Sequence, residues 1–141
     1  MQIGHLTVGE NHPPVIIAEI GINHNGELQV AKEMVKAAVD AGADVIKHQT
    51  HFVDDEMTPE AKTVFPPNDP RSIWAIMDAC SLSEEDEVAL KSYTELLGCV
   101  YISTPFSRKA ADFLNEIGVP AFKIGSGEVS NLALVRHIAS F

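Results

Sequence analysis

A parallel α/β fold of about four βα units, the N-terminal half of a (β/α)8 TIM barrel, is the architecture that this 141-residue sequence predicts. Three observations carry that expectation. Four apolar runs lack the alternation of a half-exposed sheet and so suit strands covered on both faces. Helix-period segments separate them. Each of those segments closes on a glycine, Gly42, Gly98 or Gly118, one to three residues before the next strand, where a left-handed cap belongs.

Taken in order, "PVIIAEIG" (14–21) is the first strand, and "INHNG" (22–26) is a polar loop after it. Asn-Gly favours a left-handed turn, and Asn25 is a candidate cap for the following helix; Asn23 and His24 read equally as substrate contacts or as turn chemistry. The helical segment 27–42 leads to the strand "DVIKHQT" (44–50). A long excursion follows, broken by Pro59, Pro66, Pro67 and Pro70, with a short helix around "SIWAIMDAC" in which Trp74, Ile73, Ile76 and Met77 read as packing. An excursion of this length between a strand and its helix is usually a functional loop. Ser83 and Ser107 are N-caps for the helices 83–98 and 107–118, each delivering the chain to a strand, "CVYIST" (99–104) and "AFKIGS" (121–126). A last helical pattern, "NLALVRHIASF", occupies 131–141. A whole barrel takes roughly 250 residues, so residues 1–141 read as a partial N-terminal barrel domain. Alone it leaves two strand edges, and self-association or poor folding is expected.

With 10 Lys+Arg against 20 Asp+Glu the net charge is −10, which argues against nucleic acid and anionic membrane surfaces as partners. Cys80 and Cys99 lack metal-type spacing and read as reduced, packed residues. No signal-peptide pattern and no membrane-length apolar run is found, so a cytoplasmic protein is expected. Any anionic ligand must therefore be met by a few cations gathered in one place.

The polar intrusions in the strands supply such a place. Glu19 comes from the first strand, Lys47 and Gln49 from one face of the second, Ser103-Thr104 from the third, and Lys123, Ser126 and Glu128 from the fourth and its exit. All lie toward the C-terminal ends, which surround a single mouth in a barrel. Two lysines with small hydroxyls and the Gly125-Ser126-Gly127 backbone suit phosphate plus carboxylate. The plainer alternative is a structural ion pair, Glu19 with Lys47. His48 and His51 stand i, i+3 at a strand end, with His48 opposite Lys47 and Gln49, and read as packing or loop contacts rather than a shared metal site. The acidic "DDE" (54–56) reads as a solvated loop face.

The motifs "IIAEIGINHNG", "AGADVIKHQTH", "ISTPFS" and "KIGSGE", in this order over nearly the whole chain, resemble the N-terminal half of the N-acetylneuraminate (sialic acid) synthase family. "KHQTH" continuing into "DDEMTPEAK" is more similar to the bacterial N-acetylneuraminate enzymes than to their pseudaminic or legionaminic relatives. The resemblance implies a (β/α)8 barrel followed by an antifreeze-like (SAF) domain, a domain-swapped homodimer, and condensation of phosphoenolpyruvate with N-acetylmannosamine. It further implies that C3 of phosphoenolpyruvate attacks the sugar aldehyde, water adds at C2, and phosphate leaves with C–O cleavage.

The same resemblance places Lys47, Thr104, Lys123 and Ser126 on phosphoenolpyruvate. It sets Glu19 near the reacting carbons, and Gln49, Glu128 and Asn68 at the acceptor sugar. It implies a divalent metal, Mn or Mg, with ligands outside these residues, so that none of the six histidines here is assigned to it. The chain alone is then expected to be inactive. The alternatives are a legionaminic or pseudaminic acid synthase, or a non-catalytic half barrel that binds a phosphorylated ligand.

Overall fold

A computed structural model describes residues 1–141. Five strands form, β1 (Gln2–Ile3), β2 (Leu6–Thr7), β3 (Ile17–Gly21), β4 (Val45–Thr50) and β5 (Val100–Pro105). Six helices accompany them: α1 (Leu28–Asp40), α2 (Val53–Glu56), α3 (Ile73–Cys80), α4 (Glu84–Leu96), α5 (Arg108–Glu116) and α6 (Leu132–Ile138). The last three long strands make a parallel sheet in chain order β3-β4-β5, the arrangement that successive βα units impose.

The glycine punctuation acts as expected: Gly42, Gly98 and Gly118 take φ of 93°, 83° and 72° immediately after their helices. Ser83 and Ser107 cap α4 and α5 by accepting hydrogen bonds from the Asp86 and Ala110 amides, both at 3.1 Å. Four carboxylates in the first turn of α4, Glu84 to Glu87, add a favourable interaction with the helix dipole. Asn25, by contrast, is no cap. It takes φ 51° ahead of Gly26 at 78°, so the pair makes the left-handed turn, and Glu27, at the cap position of α1, makes no side-chain cap.

Two departures from the sequence reading concern the sheet. The fourth strand, 121–126, does not form a ladder: it touches β5 through one parallel bridge, Ser103 with Phe122, and the Lys123 amide donates to the Ser103 carbonyl at 3.0 Å. Only β5 flanks this segment, and after Gly125 it turns into the 3-10 helix Ser126–Glu128 rather than staying extended. The second departure is an addition. β1 and β2 form a tight antiparallel hairpin, turned at Gly4 with φ 57°, whose Ile3 and Leu6 pack on Val45, Val100 and Ile102.

Strand alternation then divides the sheet into two faces. Ile46 and Tyr101 point to the helices and join Val35, Leu90 and Leu114 in the main core. Each large apolar side chain buried there favours the fold by roughly 1.5–3 kcal/mol over an exposed one. Val45, Lys47 and Gln49 lie on the other face, beside Val100, Ile102 and Thr104. The hairpin covers the apolar N-terminal half of that face and leaves its polar C-terminal half open. A site is thereby confined to one end of the sheet.

The excursion after β4 is a folded element, tied down by the Ile73 amide donating to the Val64 carbonyl at 2.8 Å. The short helix expected there is α3, capped by Ser72. It lies directly against the turn at Gly26: a Cβ on that glycine would stand 2.5 Å from the Ala79 carbonyl oxygen. Only glycine satisfies both the positive φ and this approach. Cys80 and Cys99 are both free and buried, and burial raises the Cys99 thiol above its usual range. No helix is long and apolar enough to cross a membrane.

Candidate functional site

Register sets the centre of the site. Glu19 pairs across the sheet with Lys47, and Gln49 with Thr104, so the four side chains share the open face. The Lys47 side chain is only 8% exposed; its ammonium lies 2.7 Å from Glu19 Oε1 and donates to Thr104 Oγ1 at 3.4 Å. The ion pair entertained from the sequence therefore exists, but it is open on one side: the Glu19 side chain is 58% exposed at the mouth. The hydrogen bond from Lys47 holds the Glu19 carboxyl below the usual carboxylate range, with the charge of Lys123 and the Gln49 amide contributing.

Glu19, Lys47, Gln49, Thr104, Lys123 and Ser126 together line one cavity of about 150 Å³, completed by Phe106, Gly125 and Gly127. Gly125 is pressed on the end of β5, where a Cβ would meet Thr104 Cγ2 at 3.4 Å and Phe106 Cε1 at 3.6 Å, whereas a Cβ on Gly127 would meet nothing. The loop thus sets Ser126 and its flanking glycines in the wall of the same cavity as the two lysines. Lys123 itself is exposed and donates to the Ile124 carbonyl at 2.6 Å, so its charge reaches the cavity while its hydrogen bond is spent on the backbone.

Glu128 lines a larger adjoining cavity of about 430 Å³ that shares Phe106 with the first. Its carboxylate is held by Asn131, which donates from Nδ2 at 2.8 Å while its Oδ1 caps α6 by accepting from the Leu134 amide at 3.2 Å. Asn68 is not brought in: it sits exposed in the turn over residues 66–69 and lines neither cavity.

The two histidines of "KHQTH" separate, each with its own partners. His48 is buried behind the sheet beside His24, their Nε2 atoms 3.0 Å apart and their rings stacked. The Gly26 amide donates to His24 Nδ1 at 3.1 Å, which leaves the hydrogen on His24 Nε2 to point at His48, and His48 Nδ1–H then faces Glu87 Oε1 at 3.3 Å. Tyr101 and Thr50 also donate to Glu87, and Thr50 meets Ser103 at 2.7 Å. Burial and the neighbouring His48 depress the His24 pKa to about 4, partly offset by Glu87, and burial beside Glu87 lifts the Tyr101 phenol well above its usual range. His24 thus belongs to a buried scaffold and not to the open face.

His51 stands at the mouth instead. Its Nδ1 lies 2.9 and 3.0 Å from the two Glu56 oxygens and its Nε2 lies 3.3 Å from Gln49 Oε1. Glu56 corrects the reading of "DDE" as a solvated face: its side chain is 4% exposed, because α2 turns it inward while Asp54 and Asp55 stay outside. Glu56, Phe106 and Asn131 are the site residues that sequence reasoning missed. The sequence signal for Asn131 was its place at the start of a helical pattern; nothing local marked the other two.

A divalent metal is not accommodated by these residues alone. The Glu19 carboxylate is occupied by the Lys47 ammonium, His51 is engaged by Glu56 and Gln49, and no three His, Cys, Asp or Glu side chains converge.

Comparisons with known proteins show the family to which this fold belongs. The NeuB family profile matches residues 34–141. The chain is 43% identical to the N,N'-diacetyllegionaminic acid synthase of Legionella pneumophila over 129 residues, covering 89% of this chain and 36% of that protein. It is 33% identical to the human N-acetylneuraminate-9-phosphate synthase over 137 residues, covering 94% of this chain and 38% of that protein. The N-acetylneuraminic acid synthetase of Leptospira borgpetersenii superposes with a TM-score of 0.80 at 29% identity, covering 99% of this chain and 46% of that one. The chain thus spans less than half the length of these relatives.

Proposed function

This chain belongs to the NeuB family, and on that premise we propose that it carries the phosphoenolpyruvate half of a sugar-acid synthase site, in which phosphoenolpyruvate condenses with a 2-acetamido sugar aldehyde. The observation that carries the reading is the convergence of Lys47, Thr104, Lys123 and Ser126 on one small cavity with Glu19 at its edge. Phosphate and carboxylate would replace Glu19 and the Ile124 carbonyl as partners of the two ammonium groups, supported by the Thr104 and Ser126 hydroxyls. Glu19, already poised as a carboxylate against Lys47, would face the carbons that react, either holding a proton or steadying positive charge as it develops. Gln49 and Glu128 would meet the acceptor from the two sides of Phe106. A divalent metal, Mn or Mg, would be supplied by residues of the complete homodimeric enzyme other than those here.

N-acetylmannosamine is the acceptor proposed, on the form of the "KHQTH" segment. The 43% identity to a diacetyllegionaminic acid synthase favours a second acceptor, a diacetylated amino sugar, so both belong in the assay. In the full-length polypeptide carrying these residues, phosphate release that requires phosphoenolpyruvate and one of these sugars is the expected result. Its absence with every 2-acetamido aldose would overturn the reading. The 141 residues alone are expected to bind phosphoenolpyruvate weakly without turnover, and condensation by this chain would refute that division of labour.

A further inference from the structure

We infer that His51, fixed by Glu56, is a positioning residue that decides which end of the Gln49 amide faces the cavity; the role of that cavity rests on the function proposed above. His51 and Glu56 are a buried pair, their side chains 3% and 4% exposed, just beyond the end of β4. The imidazole is clamped in three ways. Phe106 stacks on it with centroids 4.4 Å apart and rings 12° from parallel, Glu56 takes Nδ1 with both oxygens, and Gln49 Oε1 lies 3.3 Å from Nε2.

Both partners of the ring are acceptor oxygens, so both ring nitrogens act as donors, with the Glu56 carboxylate as the counter-charge. Gln49 is then held by its oxygen. Its NH2 must turn the other way, and it does: Nε2 lies against β3, 3.7 Å from where a Cβ on Gly21 would stand, and the amide helps to keep Glu19 ionised. A glutamine has two faces of nearly equal shape, one donating and one accepting, and rotation of its amide exchanges them at little steric cost. The Glu56–His51 pair removes that ambiguity. The cavity is presented with an N–H donor beside the Glu19–Lys47 pair, suited to a hydroxyl or carbonyl oxygen of an incoming acceptor. Phe106, packed on the same ring, carries the clamp to the wall shared by the two cavities.

Two measurements test this. Long-range proton–nitrogen NMR spectra of the 141-residue chain, with His51 identified by the His51→Gln variant, should show hydrogens on both ring nitrogens, the one on Nδ1 shifted downfield by its hydrogen bond to Glu56. A single protonated nitrogen would overturn the inference whatever the protein's activity. In the full-length polypeptide, His51→Phe keeps an aromatic ring on Phe106 but supplies no donor. It should raise the acceptor KM about tenfold, the scale of one lost hydrogen bond, with the phosphoenolpyruvate KM within about twofold of wild type. His51→Gln, which restores a donor toward Gln49, should recover most of that loss. Equal changes in both KM values, or no recovery by His51→Gln, would assign His51 a merely structural part. If the wild-type polypeptide shows no synthase activity, the proposed function falls while the NMR result still decides the clamp.

Discussion

Acid should weaken this fold through His24, and the amount follows from its surroundings. The imidazole is buried against His48, with the Gly26 amide donating to its Nδ1, so that protonating it would set two N–H groups against each other. Its pKa falls from 6.5 to about 4 for those reasons, burial foremost. A base whose folded pKa is depressed binds its proton more readily when unfolded, so the stabilisation is complete above the unfolded value of 6.5 and is lost as pH falls toward 4. At about 1.4 kcal/mol per unit, the loss approaches about 3 kcal/mol. The comparison to make is with His24→Asn, whose side-chain oxygen can still accept from Gly26 but cannot titrate. Urea unfolding followed by circular dichroism, repeated from about pH 7.5 to about pH 4.5, should show wild type more stable at the upper end and the gap closing or reversing at the lower. Carboxylates and the other histidines titrate in both proteins, and most of their effect cancels in the difference; the exception is His48, which touches His24 directly and meets Glu87 through its other ring nitrogen. A gap that stays constant across this range would refute the reasoning.

Other perturbations probe other parts of the molecule. Lys47→Met should abolish calorimetrically detectable binding of phosphoenolpyruvate or inorganic phosphate, while Thr104→Val, which removes a 3.4 Å hydrogen bond, should weaken it only several-fold; retained binding in Lys47→Met would make that lysine structural. Gly26→Ala must both hold φ at 78° and push a methyl against the Ala79 carbonyl, and a loss of about 2–3 kcal/mol in chemical denaturation is expected. Glu87→Leu strips His48, Thr50 and Tyr101 of a shared acceptor, and a drop of about 3 kcal/mol or failure to fold is expected, with thermal melting as the measure. Asn131→Ala should cost about 1 kcal/mol as a lost cap and release Glu128, so its effect on the acceptor KM should exceed its effect on the melting temperature.

The parts of this protein legible in its sequence are those with a local cause. Period and apolar runs marked three strands and their helices, because a helix must repeat at 3.6 residues and a strand covered on both faces must be apolar throughout. Glycines after three helices were readable because few other residues take a positive φ at low cost. Strand parity alone was enough to put Lys47 and Gln49 on one face and His48 on the other. Order along the chain was enough to bring Glu19, Lys47, Thr104 and Ser126 to the same end of a parallel sheet.

What the tertiary structure decided depends on neighbours far away in sequence. The hairpin at the N-terminus gains its stability from Val45, Val100 and Ile102, so its two short strands carried no signal of their own. The segment at 121–126 has strand composition but only one flanking strand, and composition cannot supply a ladder partner. Asn68 remained outside the cavities because the path of a long excursion is set by what it packs on. Glu56 looked like one more acid in a solvated run until α2 turned it toward His51, since burial of a charge is settled by the partner it meets rather than by the residues beside it. Register across the sheet, likewise a long-range choice, is what set the Lys47 ammonium 2.7 Å from Glu19 and made two separate strand residues a single charged site.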